Sequence, residues 1–418
     1  MIRRPLLLFA VALVGLAAVV LPAAGQEVIS RVPSPETVQF VRKFRLAREP
    51  ARSALLSQAA LRRNADPQFP AALWRIVDDA GRRRNVAPSI LQAATLLGTY
   101  DEKPTGTRMV SLLEAPDPRL SMVALESLGA HACPEHLPPV TATRDRPDFA
   151  QRYAYRHAVV STVGNFREPA AVEFFIGLMP ETTGQLRYET ARRLRDLTGE
   201  NFGGHADRWS QWWGLNHAGF RVRETDNALH RQEAEIPWEG EPPTFFDLPI
   251  YAYRVVFVID VSKSMLSSID GVTRLSQLQR ELHAAIDGLP TGAWFDIVPF
   301  NDSVNPWKGK LVPATEANLR AAHELINQLQ ASGKTAVADA LATGLAIDPD
   351  LEVLVFLSDG RPTAGKVTKI SAIHKTIADA NRFRRVAIHT LAIDSRDAEL
   401  HLMERLAEDN FGEHRLVR

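Results

Sequence analysis

The strongest constraint on the fold is a change in the period of the apolar residues near residue 235. From about Pro35 to Leu215 they recur at three- and four-residue spacing, as in "LLSQAALRR", "ILQAATLL", "RMVSLL" and "AVEFFIGLM". That spacing lines them along one face of an α-helix. Beyond Tyr251 short apolar runs, "RVVFVID", "WFDIVPF", "LEVLVFLSD" and "RVAIHTLAID", alternate with amphipathic stretches such as "LSQLQRELHAAIDGL" and "EANLRAAHELINQLQ". Runs that are apolar at every position suit strands buried on both faces, and their alternation with helices suits a parallel sheet. The expected fold class is an N-terminal α-helical solenoid followed by a doubly wound, mostly parallel α/β domain. At 418 residues the chain is long enough to bury both cores.

A repeat underlies the helical half. Gly129, Gly164 and Gly199 stand 35 residues apart and follow the similar stretches "MVALESLG", "HAVVSTVG" and "TARRLRDLTG", with an earlier match ending at Gly98. A period of this size with two helices per unit predicts stacked helical hairpins, each burying its apolar face on its neighbour, and the glycines read as helix terminators. The segment resembles HEAT-type repeats. Trp209, Trp212 and Trp213 in "RWSQWWGLN" read as a cap over the last open face. The proline-rich stretch "EAEIPWEGEPPTFFDLPI" reads as a stiff linker. At the other end, Met1-Ile2-Arg3-Arg4, an apolar run from Leu6 to Leu21 and the small residues Ala23, Ala24 and Gly25 follow the order of a secretory signal. Left uncleaved, the same segment would be a membrane anchor. The expected organisation is thus 1–25 signal peptide, 26–232 helical repeats with the tryptophan cap, 233–250 linker and 251–418 α/β domain, with few contacts across the linker. The chain is expected to be exported, to the periplasm or the extracellular space.

Composition narrows the function. Lys plus Arg equals Asp plus Glu at 49 each, and the local imbalances are modest: 12 basic against 6 acidic residues over 27–100, and 4 against 8 over 201–250. No aromatic-basic reading motif accompanies them, which sets nucleic acid aside. Cys133 is the single cysteine, so no internal disulfide can form.

The chemistry concentrates in "VIDVSKSM". Asp260 ends the first strand of the α/β domain, and Ser262 and Ser264 follow in the strand-to-helix loop, where ligands of such folds bind. Asp359, in "LSDGRPT", ends another strand and would reach the same crevice. Carboxylates and hydroxyls without His or Cys suit a hard divalent cation such as Mg²⁺. Residues 251–418 resemble a von Willebrand factor type A domain, and "DVSKS" matches that family's Asp-x-Ser-x-Ser metal-ion-dependent adhesion motif. The family's threonine corresponds to Thr335 in "SGKTAVADAL" and its second aspartate to Asp359. The resemblance implies Ser262 and Ser264 as direct ligands of Mg²⁺ (or Mn²⁺ or Ca²⁺), Thr335 as direct or water-bridged, and Asp260 and Asp359 as mainly outer ligands. A partner's acidic side chain would complete the coordination. One departure is Gly333-Lys334-Thr335, where a lysine replaces the second of two glycines and would bring a cation near the metal.

Other signals are weaker. "SGKT" lacks the glycine a phosphate-binding loop needs five residues before Gly333, where Gln328 stands. His131, Cys133 and His136 could offer three ligands to zinc, but no fourth stands at a recognisable spacing, and they read as a polar turn with a buried cysteine. His283, His323, His374 and His389 fall within predicted helices or a strand, where surface or core roles are the default. No nucleophile is paired with a base by any motif. The expected function is a non-enzymatic scaffold or adaptor that captures an acidic residue of one protein at the metal and a second protein on the helical repeats. Membrane contact is expected only if the N-terminal segment is uncleaved. A metal-dependent hydrolase and a structural domain with an unused site are the alternatives.

Overall fold

The computed structural model describes residues 33–60, 66, 68–100, 103–223, 238, 242–269, 271–359, 361–393 and 397–417. The expected signal segment lies outside them. The N-terminal half is a run of helices: α1 (Pro35–Leu46), α2 (Ala51–Ala60), α3 (Phe69–Ala80), α4 (Pro88–Leu97), α5 (Lys103–Leu112), α6 (Pro118–His131), α7 (Leu137–Ala142), α8 (Pro147–Gln151), α9 (Tyr153–Val163), α10 (Pro169–Leu178), α11 (Gly184–Thr198) and α12 (Ala206–Asn216). Local chemistry sets several of the starts. The Ser34 hydroxyl accepts from the Thr37 amide at 3.2 Å, and the Asp117 carboxylate accepts from the Arg119 amide at 2.9 Å. Proline opens α1, α4, α6 and α10, where its missing N–H leaves no bond unmade.

The helices pack in two layers. α4, α6, α9 and α11 follow one another in an inner layer, and α3, α5 and α10 back it, with α7 and α8 against α9. The repeated glycines sit in this inner layer, and three of the four, Gly98, Gly164 and Gly199, cap their helices as expected. Gly98 and Gly164 keep right-handed φ values of −62°, Gly129 lies inside α6, and only Gly199, at φ 81°, is left-handed. They also mark points of close approach. A Cβ on Gly98, Gly129 or Gly164 would lie 2.8 Å from Ser127, 3.1 Å from Thr162 or 2.5 Å from Arg193, each on the next inner helix. At the end of the array Trp209 is fully buried, donates from Nε1 to the Gly203 carbonyl at 2.8 Å and meets Phe202 edge-on. Trp212 and Trp213 pack on Phe220.

The C-terminal half begins with a hairpin, β1 (Thr244–Phe245) and β2 (Leu248–Pro249). Phe245, Leu248 and Ile250 are buried in the α/β core, so this end of the expected linker is packed into the domain. There follow β3 (Arg254–Asp260), the small hairpin β4 (Ser268–Ile269) and β5 (Val272–Thr273), α13 (Arg274–Asp287), β6 (Trp294–Phe300), β7 (Val312–Pro313), α14 (Glu316–Gln328), α15 (Val337–Ala346), β8 (Val353–Ser358), α16 (Ile370–Asn381), β9 (Ala387–Ile393), α17 (Asp397–Glu408) and β10 (His414–Val417). The main sheet has the order β10-β9-β8-β3-β6-β7, parallel except for the β6–β7 pair. Alternate residues of β3 enter opposite cores: Val255, Phe257 and Ile259 on the face of α13 and α14, Val256 and Val258 on the face of α15 and α16. The expected α plus doubly wound α/β architecture is the one observed.

The expectation of few contacts between the halves is corrected. The inner layer of the array docks on the amino ends of the strands through one residue or more from each helix. Arg382 donates to Thr95 of α4 at 2.7 Å and to Glu126 of α6 at 3.0 Å; Arg385 donates to Glu126 at 3.1 Å and to the Nδ1 of His157 on α9 at 3.0 Å. Tyr188 of α11 donates to Glu413 at 2.7 Å and stacks on Tyr251. Burial, reinforced by the Arg385 charge, pushes His157 well below its usual range, so the ring is neutral and accepts from Arg385. Arg385 (φ 53°) and Phe411 (φ 61°), which meet each other and His157, both hold left-handed conformations uncommon for side chains of their size. A proline-rich connection does not by itself separate two domains when buried polar groups join them.

Two outcomes are expected. Arg385→Ala leaves the buried His157 without its donor and Glu126 held by Arg382 alone, and should lower stability by about 2 kcal/mol. Calorimetry should then resolve two transitions where the parent shows one. Glu352 accepts from the Gln185 and Tyr253 amides, and burial pushes its carboxyl up to about 7 from 4.5. Between these values the folded chain keeps a proton that the unfolded chain has released, so this group's contribution to stability falls as pH rises. Glu352→Gln removes that dependence, and its stability relative to the parent should rise by about 3 kcal/mol from pH 4.5 to pH 8 in denaturant titrations.

Candidate metal centre

Three loops meet at the carboxyl ends of β3 and β8, the end of the sheet opposite the docked array. The first follows β3. Asp260 is fully buried; its Oδ1 accepts from the Ser262 amide at 2.8 Å, and its Oδ2 accepts from the hydroxyl of Ser358, the last residue of β8, at 2.5 Å. The Asp260 carboxylate thus holds the loop that follows its own strand. The Ser262 and Ser264 hydroxyls lie 3.0 Å apart, and Ser264 donates to the Asp359 Oδ1 at 2.7 Å. Four of the five expected residues therefore share one hydrogen-bonded cluster.

Thr335 enters from the second loop through its backbone. Its amide donates to the Thr363 hydroxyl at 3.0 Å, and its carbonyl accepts from the Thr363 and Ala364 amides. The loop is bound to the first one where Gly333 (φ 75°) accepts from the Lys263 amide and Ser332 donates to the Val261 carbonyl. The left-handed turn at Gly333 favours glycine, and the Thr335 that follows it is buried. The Thr335 hydroxyl is not part of the bonded cluster.

The charge at this site has a source that sequence reasoning did not find. Arg274, the first residue of α13, places its guanidinium 2.5 Å from the Asp359 Oδ2; the Asp359 side chain is fully buried and that of Arg274 is 12% exposed. Lys334, the lysine expected to crowd the site, is exposed. Arg274 carries no motif, because what matters is that the loop from 261 to 273 returns the start of α13 over the end of β8. Ser358 and Thr363 were missed for the same reason. Burial, with a smaller push from the Asp359 charge, raises the Asp260 carboxyl to about 6 against the hydrogen bonds from Ser358 and Ser262.

The donor set fits a hard cation. It consists of carboxylate and hydroxyl oxygens from separate loops, the buried Asp359 already draws a positive group, and the cluster reaches the surface at the exposed Ser264. The other candidate cluster differs. The His131 Nε2 lies 3.1 Å from the Gly98 carbonyl, and Cys133 is half-buried at the end of α6. Among the described residues no group of three or more His, Cys, Asp or Glu side chains gathers in a metal-holding arrangement.

Residues 253–415 match the von Willebrand factor type A domain family, so the C-terminal unit is a von Willebrand factor type A domain. This unit is 32% identical over 170 residues to inter-alpha-trypsin inhibitor heavy chain H1 of Bos taurus, covering 38% of this chain and 18% of the relative. It is 33% identical over 179 residues to heavy chain H6 of Homo sapiens, covering 40% of this chain and 13% of the relative. The chain thus spans less than a fifth of the length of either. Among solved structures, a von Willebrand factor type A protein from Catenulispora acidiphila aligns with a TM-score of 0.33 and 22% identity, over 39% of this chain and 38% of that one.

Arg274→Ala should leave the Asp359 carboxylate buried and unpaired. In EDTA the variant is expected to be less stable by about 3 kcal/mol, read from its melting against that of the parent.

Proposed function

We propose that this is an exported, non-enzymatic binding protein whose type A domain holds Mg²⁺ at Asp260, Ser262, Ser264, Thr335 and Asp359 and uses it to capture an acidic side chain of a protein partner. The observation that carries this reading is the bonded cluster of oxygen donors that reaches solvent at Ser264, on the end of the sheet that the helical array leaves uncovered. When bound, the cation would supply an electrophilic point for a carboxylate, and Mn²⁺ or Ca²⁺ could replace Mg²⁺. Ser262 and Ser264 would hold it directly, and Asp260 would orient the loop through the Ser262 amide. Asp359, whose charge Arg274 otherwise balances, would balance the charge of the cation.

The non-enzymatic reading is supported by the partners of the two serine hydroxyls, which are each other and Asp359; among the described residues no histidine bonds to either. The helical half is read as HEAT-type hairpins. Because its inner layer is committed to the type A domain, a second protein would bind its outer layer of α3, α5 and α10. Export rests on the N-terminal run of basic, apolar and small residues. Whether that run is cleaved or retained decides between a free and a membrane-tethered form. No helix among the described residues is long and apolar enough to cross a membrane.

Calorimetry of the full chain should show one Mg²⁺ bound, with affinity reduced at least tenfold in Ser262→Ala and in Asp359→Asn. Arg274→Ala removes the guanidinium that competes for Asp359, so Mg²⁺ should stabilise this variant by more than it stabilises the parent. Proteins captured with Mg²⁺ and released by EDTA should be lost from both site variants. Absence of Mg²⁺ binding by the parent at millimolar concentration overturns the reading in favour of a structural domain with an unused site.

A further inference from the structure

A pair of histidines with facing ring nitrogens lies between α13 and α14. His283 of α13 and His323 of α14 meet edge to edge, with ring centroids 4.7 Å apart and planes inclined by 26°, and their Nδ1 atoms face each other at 2.5 Å. The outer nitrogens are engaged reciprocally. The His323 Nε2 lies 2.7 Å from the Asp287 Oδ1, and the His283 Nε2 lies 3.1 Å from the Asn327 Oδ1. Asp287 stands four residues after His283, and Asn327 four residues after His323, so each imidazole is held by the residue one turn beyond the other.

This arrangement decides the tautomers. A carboxylate only accepts, so the His323 Nε2 carries hydrogen; the amide oxygen of Asn327 asks the same of the His283 Nε2. In the neutral rings both Nδ1 atoms are then lone pairs aimed at one point, which repel unless an electrophile lies between them. Imidazoles whose second nitrogen donates to a carboxylate or carbonyl oxygen are the usual ligands of metal ions, because that bond fixes the ring and raises the basicity of the free nitrogen.

We propose that His283 and His323 bind a divalent d-block cation of the Zn²⁺ and Cu²⁺ class through their Nδ1 atoms, with water filling the other positions, and so tie α13 to α14. Imidazole nitrogen selects this class over Mg²⁺, so the two sites of the domain sort cations by ligand type. Metal–nitrogen distances of about 2.0 to 2.1 Å at square-planar or tetrahedral angles require the facing nitrogens to part to about 2.9 to 3.3 Å, a movement of roughly 0.4 to 0.8 Å. Both rings are only half-buried on helix surfaces, which leaves side-chain rotation to supply it.

The test uses the full chain, stripped with EDTA and then held in excess Mg²⁺ to occupy the oxygen site. Titration with Cu²⁺ should show a site whose electron paramagnetic resonance spectrum carries coupling to two imidazole nitrogens. Zn²⁺ should compete for it. His323→Gln, which keeps a polar group near Asp287, should reduce the coupling to one nitrogen and weaken Cu²⁺ binding at least tenfold; His283→Ala/His323→Ala should abolish the site. Ser262→Ala should leave it unchanged. A parent chain that binds no more Cu²⁺ or Zn²⁺ than the double variant overturns the proposal and leaves a proton shared between the two rings.

Discussion

The structure depends on β3, whose backbone is paired with β6 on one side and β8 on the other and whose side chains enter both cores. A strand bonded on two edges and buried on two faces cannot shift register without breaking both ladders, so its two ends are fixed relative to each other. At the amino end, Tyr253 shares the Glu352 carboxylate with Gln185 of the helical array. At the carboxyl end, Asp260 holds the serine loop. About 20 Å of rigid strand separates the surface that docks the array from the surface that presents the oxygen donors.

Charge balance governs both ends, by different means. In the interface, Arg385 and Arg382 share Glu126, and a histidine kept neutral by burial accepts from the Arg385 Nε. At the candidate metal centre, the buried Asp359 is matched by Arg274. A cation that bound there would meet a carboxylate already half satisfied, and its affinity would reflect competition with a tethered guanidinium. The position of α13 therefore bears on the site from its first residue, while its far end carries the histidine that faces α14.

Much of the fold was legible because periodicity is a local property. The three-and-four spacing marked the helices, and the uninterrupted apolar runs marked strands that the sheet buries on both faces. The candidate site was legible for a related reason: Asp260, Ser262 and Ser264 lie within five residues, and loops at strand ends converge in this topology. The glycine repeat was visible, and Gly98, Gly164 and Gly199 end helices as its spacing suggested. Spacing alone did not show that Gly98, Gly129 and Gly164 are also points of close approach to the next helix.

What the sequence by itself determined is the order and type of the elements, the strand ends that carry the oxygen donors and the residues that make up "DVSKS". Those follow from side-chain period and from backbone chemistry within a few residues. Only the tertiary structure decided that the array covers the amino ends of the strands, that Arg274 and not Lys334 reaches Asp359, and that His283 and His323 face each other. Each of these joins groups tens to hundreds of residues apart, such as Thr95 and Arg382. No local preference encodes such a pairing, because it arises only when packing of the separate cores brings the two surfaces together.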